Sequence, residues 1–180
     1  AYFYPENTPR AFRTTELAKE FARQGHSVTV LTHKISKTHS EFEKLHNLEI
    51  RDLGTRKWKD VTLKGKGINL LVRRFIRRLS ILLFEYPNIE LVRMVKKALK
   101  NEKDYDLLIS IAVPYPVHWG VAASMSKNHK IARTWIADCG DPYMGRENDT
   151  FKVPFYFGYV EKWFMRKTDF ITVPTSGAIK

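Results

Sequence analysis

Two carboxylates, Asp138 and Asp141, stand three residues apart in Trp135-Ile136-Ala137-Asp138-Cys139-Gly140-Asp141-Pro142-Tyr143, at the end of a strand-forming run. A carboxylate at such a strand end can take a proton from a hydroxyl or hold hydroxyls by hydrogen bonding. The competing account is a turn or helix-cap aspartate, which suits one of the pair but not both. A second candidate is Asn7-Thr8-Pro9-Arg10, with Arg13 close behind. A helix starting there offers free N–H groups that attract anions, and the arginines add charge. Capping by Thr8 with solvated arginines explains the same residues equally well. His118, which follows Pro114-Tyr115-Pro116, is a lone histidine better suited to capping a helix than to chemistry.

Other chemistries find little support. His33, His39 and His46 lack metal-ligand spacing, Cys139 has no partner cysteine, and no P-loop or G-x-G-x-x-G is present. Ser176-Gly177 has no nucleophile-elbow context. Neither a metal nor a cofactor is therefore expected.

The elements that position these residues can be read from spacing. Thr8 can cap a helix whose first position, Pro9, has no N–H to leave unpaired, and Gly25 can stop it. Ala11, Thr14, Leu17, Ala18, Phe21 and Ala22 give that helix one buried face. Strands are predicted over 27–32, 48–53, 106–112, 132–138 and 170–174, and helices over 88–101, 118–128 and 155–167. Their alternation predicts an α/β fold, a Rossmann-like doubly wound parallel sheet with helices on both faces, in one domain spanning 1–180. Ala1-Tyr2-Phe3-Tyr4 reads as the end of a strand whose beginning is missing, so a fragment is expected.

Thirty-one Lys and Arg against nineteen Asp and Glu leave a net charge of +12, which predicts an anionic partner. The 43% hydrophobic content belongs to a folded chain, and a lone cysteine fits a reducing compartment. No run of about 18 apolar residues predicts a membrane span, and no signal peptide is recognised. Residues 68–84, INLLVRRFIRRLSILLF, break the alternation. On a helical wheel Ile68, Leu71, Val72, Phe75, Ile76, Leu79, Leu82 and Leu83 share one face, and Arg73, Arg74, Arg77 and Arg78 the other. Such a helix can lie in a headgroup region, with Arg73, Arg74, Phe75, Arg77 and Arg78 as the membrane contacts. An ordinary domain helix with solvated arginines competes with this. The preceding Arg56-Lys57-Trp58-Lys59 and Lys64-Gly65-Lys66-Gly67 extend the basic segment to 56–84. A nucleic-acid-binding module fits the charge too, but no nucleic-acid motif or interleaved exposed aromatics support it.

Four stretches taken together carry a resemblance: YFYPENTPRAFRTTELAKEFARQGHSVTVLT, YDLLISIAVPYPVHWGVAA, WIADCGDPY and YVEKWFMRKTDFITVPTSGAIK. In this order they resemble the N-terminal domain of the family 4 (group 1) glycosyltransferases, which have the GT-B fold of two facing Rossmann-like domains. The resemblance implies sugar transfer from a nucleotide-sugar donor with retention of configuration and no required metal. It implies that this domain binds the acceptor, while a C-terminal domain, expected to be missing here, holds the nucleotide and the E-x7-E carboxylates. The 180 residues alone are then expected to be inactive. Carried over, Asp141 becomes the acceptor-side polar group nearest the reacting centre, with Asp138 supporting its loop. Asn7, Thr8, Arg10, Arg13, Tyr115 and His118 become candidate acceptor contacts. Many members have glycines where Asn7 to Arg10 stand, so a donor-phosphate role for that loop is not carried over. The expected partners are a nucleotide-sugar, a glycan or lipid-linked acceptor and an anionic membrane surface, and the expected location is cytoplasmic or peripheral on the inner face of the membrane. A sugar-nucleotide 2-epimerase of the same architecture is the enzymatic alternative.

Overall fold

The computed structural model describes residues 2–112, 114–126, 129–140 and 154–173. The chain divides into two compact units, Ala1–Thr55 and Arg56–Lys180.

In the first unit, α1 (Pro9–Arg23) begins as its residues dictate. The Thr8 side chain accepts the Ala11 N–H at 3.2 Å, Pro9 takes the first turn, and Gly25 follows the helix end at φ +87°, which favours glycine. Strand β1 (Thr29–Thr32) pairs in parallel with β2 (Glu49–Asp52), Val30 opposite Ile50. Between them lies α2 (Ser36–His46), a helix that the sequence pattern does not predict, ended by Asn47 in the left-handed conformation. Phe3, Ala18, Phe42, Leu48 and Ile50 form the core of this unit. Residues 2–4 are not a strand, contrary to expectation: Tyr4 and Pro5 form a turn closed by the Glu6 N–H to the Phe3 carbonyl at 3.1 Å. Phe3 still enters the core, where its ring meets Phe42 edge-on.

The second unit contains α3 (Ile68–Phe84), α4 (Glu90–Ala98), β3 (Tyr105–Ile111), α5 (Pro116–Ser124), β4 (Ala132–Asp138), α6 (Tyr156–Met165) and β5 (Phe170–Thr172). The order β3-β4-β5 is parallel throughout, with Ile109 opposite Ile136 and Asp138 opposite Thr172. Helix α5 is buried from Pro116 to Ala122 except at Val117, which explains why it is apolar on nearly every side. It packs tightly against α4 at Gly120, where a Cβ would lie 2.6 Å from the Val95 Cβ. Lys167 secures the far end of α5, donating from Nζ to the carbonyls of Ala122 at 2.6 Å and Met125 at 3.1 Å. Cations are favoured at such a terminus.

Parallel strands with intervening helices make this an α/β, Rossmann-like fold, as the alternation predicts. The described strands fall into a two-stranded and a three-stranded sheet.

Candidate functional site

The loop Pro5 to Thr8 is held from two sides. Thr15, buried on α1, accepts the Tyr4 N–H at 3.0 Å. His39, buried on α2, receives the Ile35 N–H on Nδ1 at 3.0 Å, so its proton sits on Nε2, which lies 2.5 Å from the Tyr4 carbonyl oxygen. The loop beyond this clamp is open: Asn7 and Arg13 are exposed and Thr8 and Arg10 half-buried. Arg10 sits over the Tyr2 ring, 6.0 Å from its centroid. This edge of the first unit thus presents polar and cationic groups on a fixed turn. His39, which spacing did not single out, fixes it together with Thr15.

In the second unit, Asp138 closes β4. Its Oδ1 accepts the Thr172 hydroxyl at 2.7 Å, tying the carboxylate to the end of β5. Beneath it runs a buried chain of hydrogen bonds. Trp135 Nε1 donates to Ser110 Oγ at 2.8 Å, and an indole N–H can only donate. The Ser110 hydroxyl is left to donate to His118 Nδ1, also at 2.8 Å. That places the His118 proton on Nε2, toward the Asp138 backbone and 3.7 Å from Cys139 Sγ. Burial pushes His118 down from 6.5 to about 4, partly opposed by the hydrogen bond to the Asp138 backbone. The imidazole is therefore neutral at pH 7. Burial likewise pushes the Cys139 thiol up from 9.0 to about 11, reinforced by the Asp138 charge.

This arrangement corrects one expectation: His118 lies inside α5 and does not cap it. His118 is fully buried and stacks on Phe164 with ring centroids 5.4 Å apart, and Tyr115 is 3% exposed. Both pack the helix onto the sheet, and His118 positions the strand end that carries Asp138. Asp141 lies outside the described residues. Asn7, Thr8, Arg10 and Arg13 belong to one compact unit and Asp138 to the other. Among the described residues no group of three or more His, Cys, Asp or Glu side chains could hold a metal ion.

Helix α3 forms over the residues its pattern predicts, but contributes no buried residue. Its apolar stripe faces outward, with Ile68 78%, Leu71 62% and Phe75 66% exposed. Arg73 and Arg77 face the preceding segment instead. Arg73 donates to the Thr62 carbonyl at 3.2 Å, and Arg77 grips the Asp60 carboxylate through Nε and Nη2 at 2.9 and 2.6 Å. The Arg77 guanidinium holds the Asp60 carboxyl below its ordinary value. Among the described residues no helix is long and apolar enough to cross a membrane.

Comparison with protein families matches residues 11–179 to Glycosyltransferase Family 4. Comparisons with curated proteins and with solved structures find no match.

Proposed function

Because the chain belongs to glycosyltransferase family 4, we propose that it is the acceptor-binding domain of a retaining hexosyltransferase. The enzyme moves a sugar from a nucleotide-sugar, held mainly by a second domain, to a lipid-linked or surface-polysaccharide acceptor at an anionic membrane face. The observation that carries the membrane part is the outward apolar stripe of α3, bordered by cations on a chain of net charge +12. Apolar insertion and attraction to anionic headgroups add for such a helix, roughly 1 kcal/mol per cationic side chain.

On the acceptor side, the turn fixed by His39 offers Asn7, Thr8, Arg10 and Arg13 to polar or anionic parts of the acceptor. Asp138, anchored by Thr172, supports the loop leading to Asp141, which holds the attacking hydroxyl or takes its proton. No metal is needed in this scheme, because these groups orient the acceptor and the donor phosphates are bound elsewhere.

Flotation of the chain with phosphatidylglycerol vesicles at low salt tests the membrane part. Binding that weakens as salt rises is expected, and absence of binding removes it. Arg10→Ala tests the acceptor role in the transferase carrying this domain: the acceptor KM rises about tenfold while the donor KM holds, as for loss of one charged contact. If the donor KM rises instead, the loop meets the donor.

A further inference from the structure

Within the second unit an apolar cleft of about 720 Å³ is lined by Trp58, Leu83, Phe84, Tyr86, Trp119 and Tyr156, among others. Its size lies within the roughly 300–1,000 Å³ range of small-molecule sites. Its walls are built rather than accidental. The Trp58 and Tyr86 rings stack 5.7 Å apart, and the Tyr86 hydroxyl donates to the Lys59 carbonyl at 2.8 Å. The Glu90 carboxylate accepts the N–H groups of Lys57 and Trp58 at 2.9 and 2.8 Å, and Arg56 bonds the Asn88 side chain at 2.8 Å. The Tyr156 hydroxyl donates to the Leu83 carbonyl, joining α6 to the end of α3.

Two features select the occupant. Both tyrosine hydroxyls are bonded to backbone carbonyls, and apart from Ser80 and the tryptophan indole N–H groups the rest of the lining is apolar, so the cleft offers little to a sugar or a nucleotide, most of whose hydroxyls would lose water without compensation. Hydrocarbon carries no such cost. The segment that supplies Trp58 also carries the exposed cations Arg56, Lys57 and Lys59; Glu90, whose charge also acts on Arg56 and Lys57, bonds the backbone N–H groups of Lys57 and Trp58, and Asp60 bonds Arg77. Phe84 both lines the cleft and is 63% exposed at the end of α3. The cleft is therefore continuous with the helix whose apolar stripe faces outward.

We propose that this cleft binds the hydrocarbon chain of a single anionic lipid, its phosphate headgroup met by Arg56, Lys57 and Lys59. Resting on the function proposed above, that lipid is the anchor of the acceptor, which narrows the acceptor class to lipid-linked glycans. The site takes one chain, separately from the vesicle surface that α3 meets.

Titration calorimetry with octyl phosphate, dodecyl phosphate (both below their micelle concentrations) and inorganic phosphate provides the test. Affinity is expected to climb with chain length, by up to about fourfold per buried methylene, with inorganic phosphate far weaker. Ser80→Trp, which fills the cleft, should reduce dodecyl phosphate affinity at least tenfold with an unchanged unfolding temperature; Val160→Trp replaces it if the first variant does not fold. The proposal is overturned if no alkyl phosphate binds, if chain length makes no difference, or if a folded filled-cleft variant binds as the parent does. It is equally overturned if the chain forms a dimer that Ser80→Trp dissolves, since a second copy then fills the cleft. Leu71→Ser/Phe75→Ser separates the two readings: lost flotation with retained dodecyl phosphate binding supports a site distinct from the outward stripe of α3. Failure of parental flotation alone removes only the membrane function, and failure of alkyl phosphate binding alone removes only the cleft.

Discussion

His39 on α2 and the backbone carbonyl of Tyr4 are joined through Nε2 at 2.5 Å, while the same ring accepts the Ile35 N–H on Nδ1 at 3.0 Å. One buried side chain thus fixes both the start of its own helix and the turn leading to α1. His39→Phe keeps the ring volume against Phe3 but leaves the part-buried Tyr4 carbonyl and Ile35 N–H without this partner. An unfolding free energy lower by about 1–3 kcal/mol is expected in urea titrations. His39→Gln, which can keep one of the bonds, should lose less. Equal stability of the Phe variant and the parent would show that the ring only fills space.

Gly120 is required by proximity and not by backbone angle. A Cβ there would sit 2.6 Å from Val95 Cβ, 2.9 Å from its Cγ1 and 3.1 Å from the Val92 carbonyl oxygen. Gly120→Ala should therefore destabilise the protein by about 1–3 kcal/mol despite the better helix propensity of alanine. Adding Val95→Gly removes the two nearest atoms, Cβ and Cγ1, from the contact, so the double variant should lose less than the sum of the singles. Strict additivity, measured by thermal or urea unfolding, would argue that α4 and α5 do not meet at this point.

His118 makes stability depend on pH in a defined window. Its folded value, about 4, lies below the ordinary 6.5, so the unfolded chain binds the proton more readily. The corresponding stability is complete above about 6.5 and is lost as pH falls toward 4. At 1.36 kcal/mol per unit this amounts to about 3 kcal/mol. Glu43, Asp52 and Asp60, held below their ordinary values by hydrogen bonds to backbone and basic groups, also favour the folded state less as acid protonates them. The measurement is thus the difference between parent and His118→Phe, in which the carboxylate contributions cancel. Parent stability should fall more steeply from pH 6.5 to 4; parallel curves would mean that His118 takes up its proton as readily in the folded protein as in the unfolded chain.

Where local chemistry decides structure, the sequence was sufficient. Thr8 and Gly25 mark the two ends of α1, Ala132–Asp138 forms β4 over the residues predicted, and α3 runs from Ile68 to Phe84 as its wheel suggests. Helix α2 escaped because only His39 and Phe42 in SKTHSEFEKLH are buried, too short a stripe to stand out among charged residues. The burial of His118 was illegible for another reason: its partner Ser110, and Trp135 bonded to Ser110, arrive from two strands whose pairing is tertiary. Its position after two prolines suggests a loop. The wheel of α3 likewise shows that one face is apolar without showing which way that face turns.

That orientation yields the sharpest contrast among the arginines. Leu71 and Phe75 point away from the domain, so Leu71→Ser/Phe75→Ser should leave the unfolding temperature nearly unchanged, as exposed substitutions usually do. If α3 inserts into an interface, each large side chain contributes up to about 1.5–3 kcal/mol there, and the pair should cost vesicle affinity about 100-fold. Arg74→Glu/Arg78→Glu should weaken binding to anionic vesicles at low salt while sparing neutral ones, because the effect is electrostatic and screened. Arg77→Ala should behave differently, since its guanidinium already holds Asp60 at 2.6 Å with both side chains partly exposed. Its loss should leave stability nearly unchanged and lower vesicle affinity less than the double charge reversal does. Arg77→Ala abolishing flotation while Arg74→Glu/Arg78→Glu has no effect would mean that the helix meets the membrane through its opposite face.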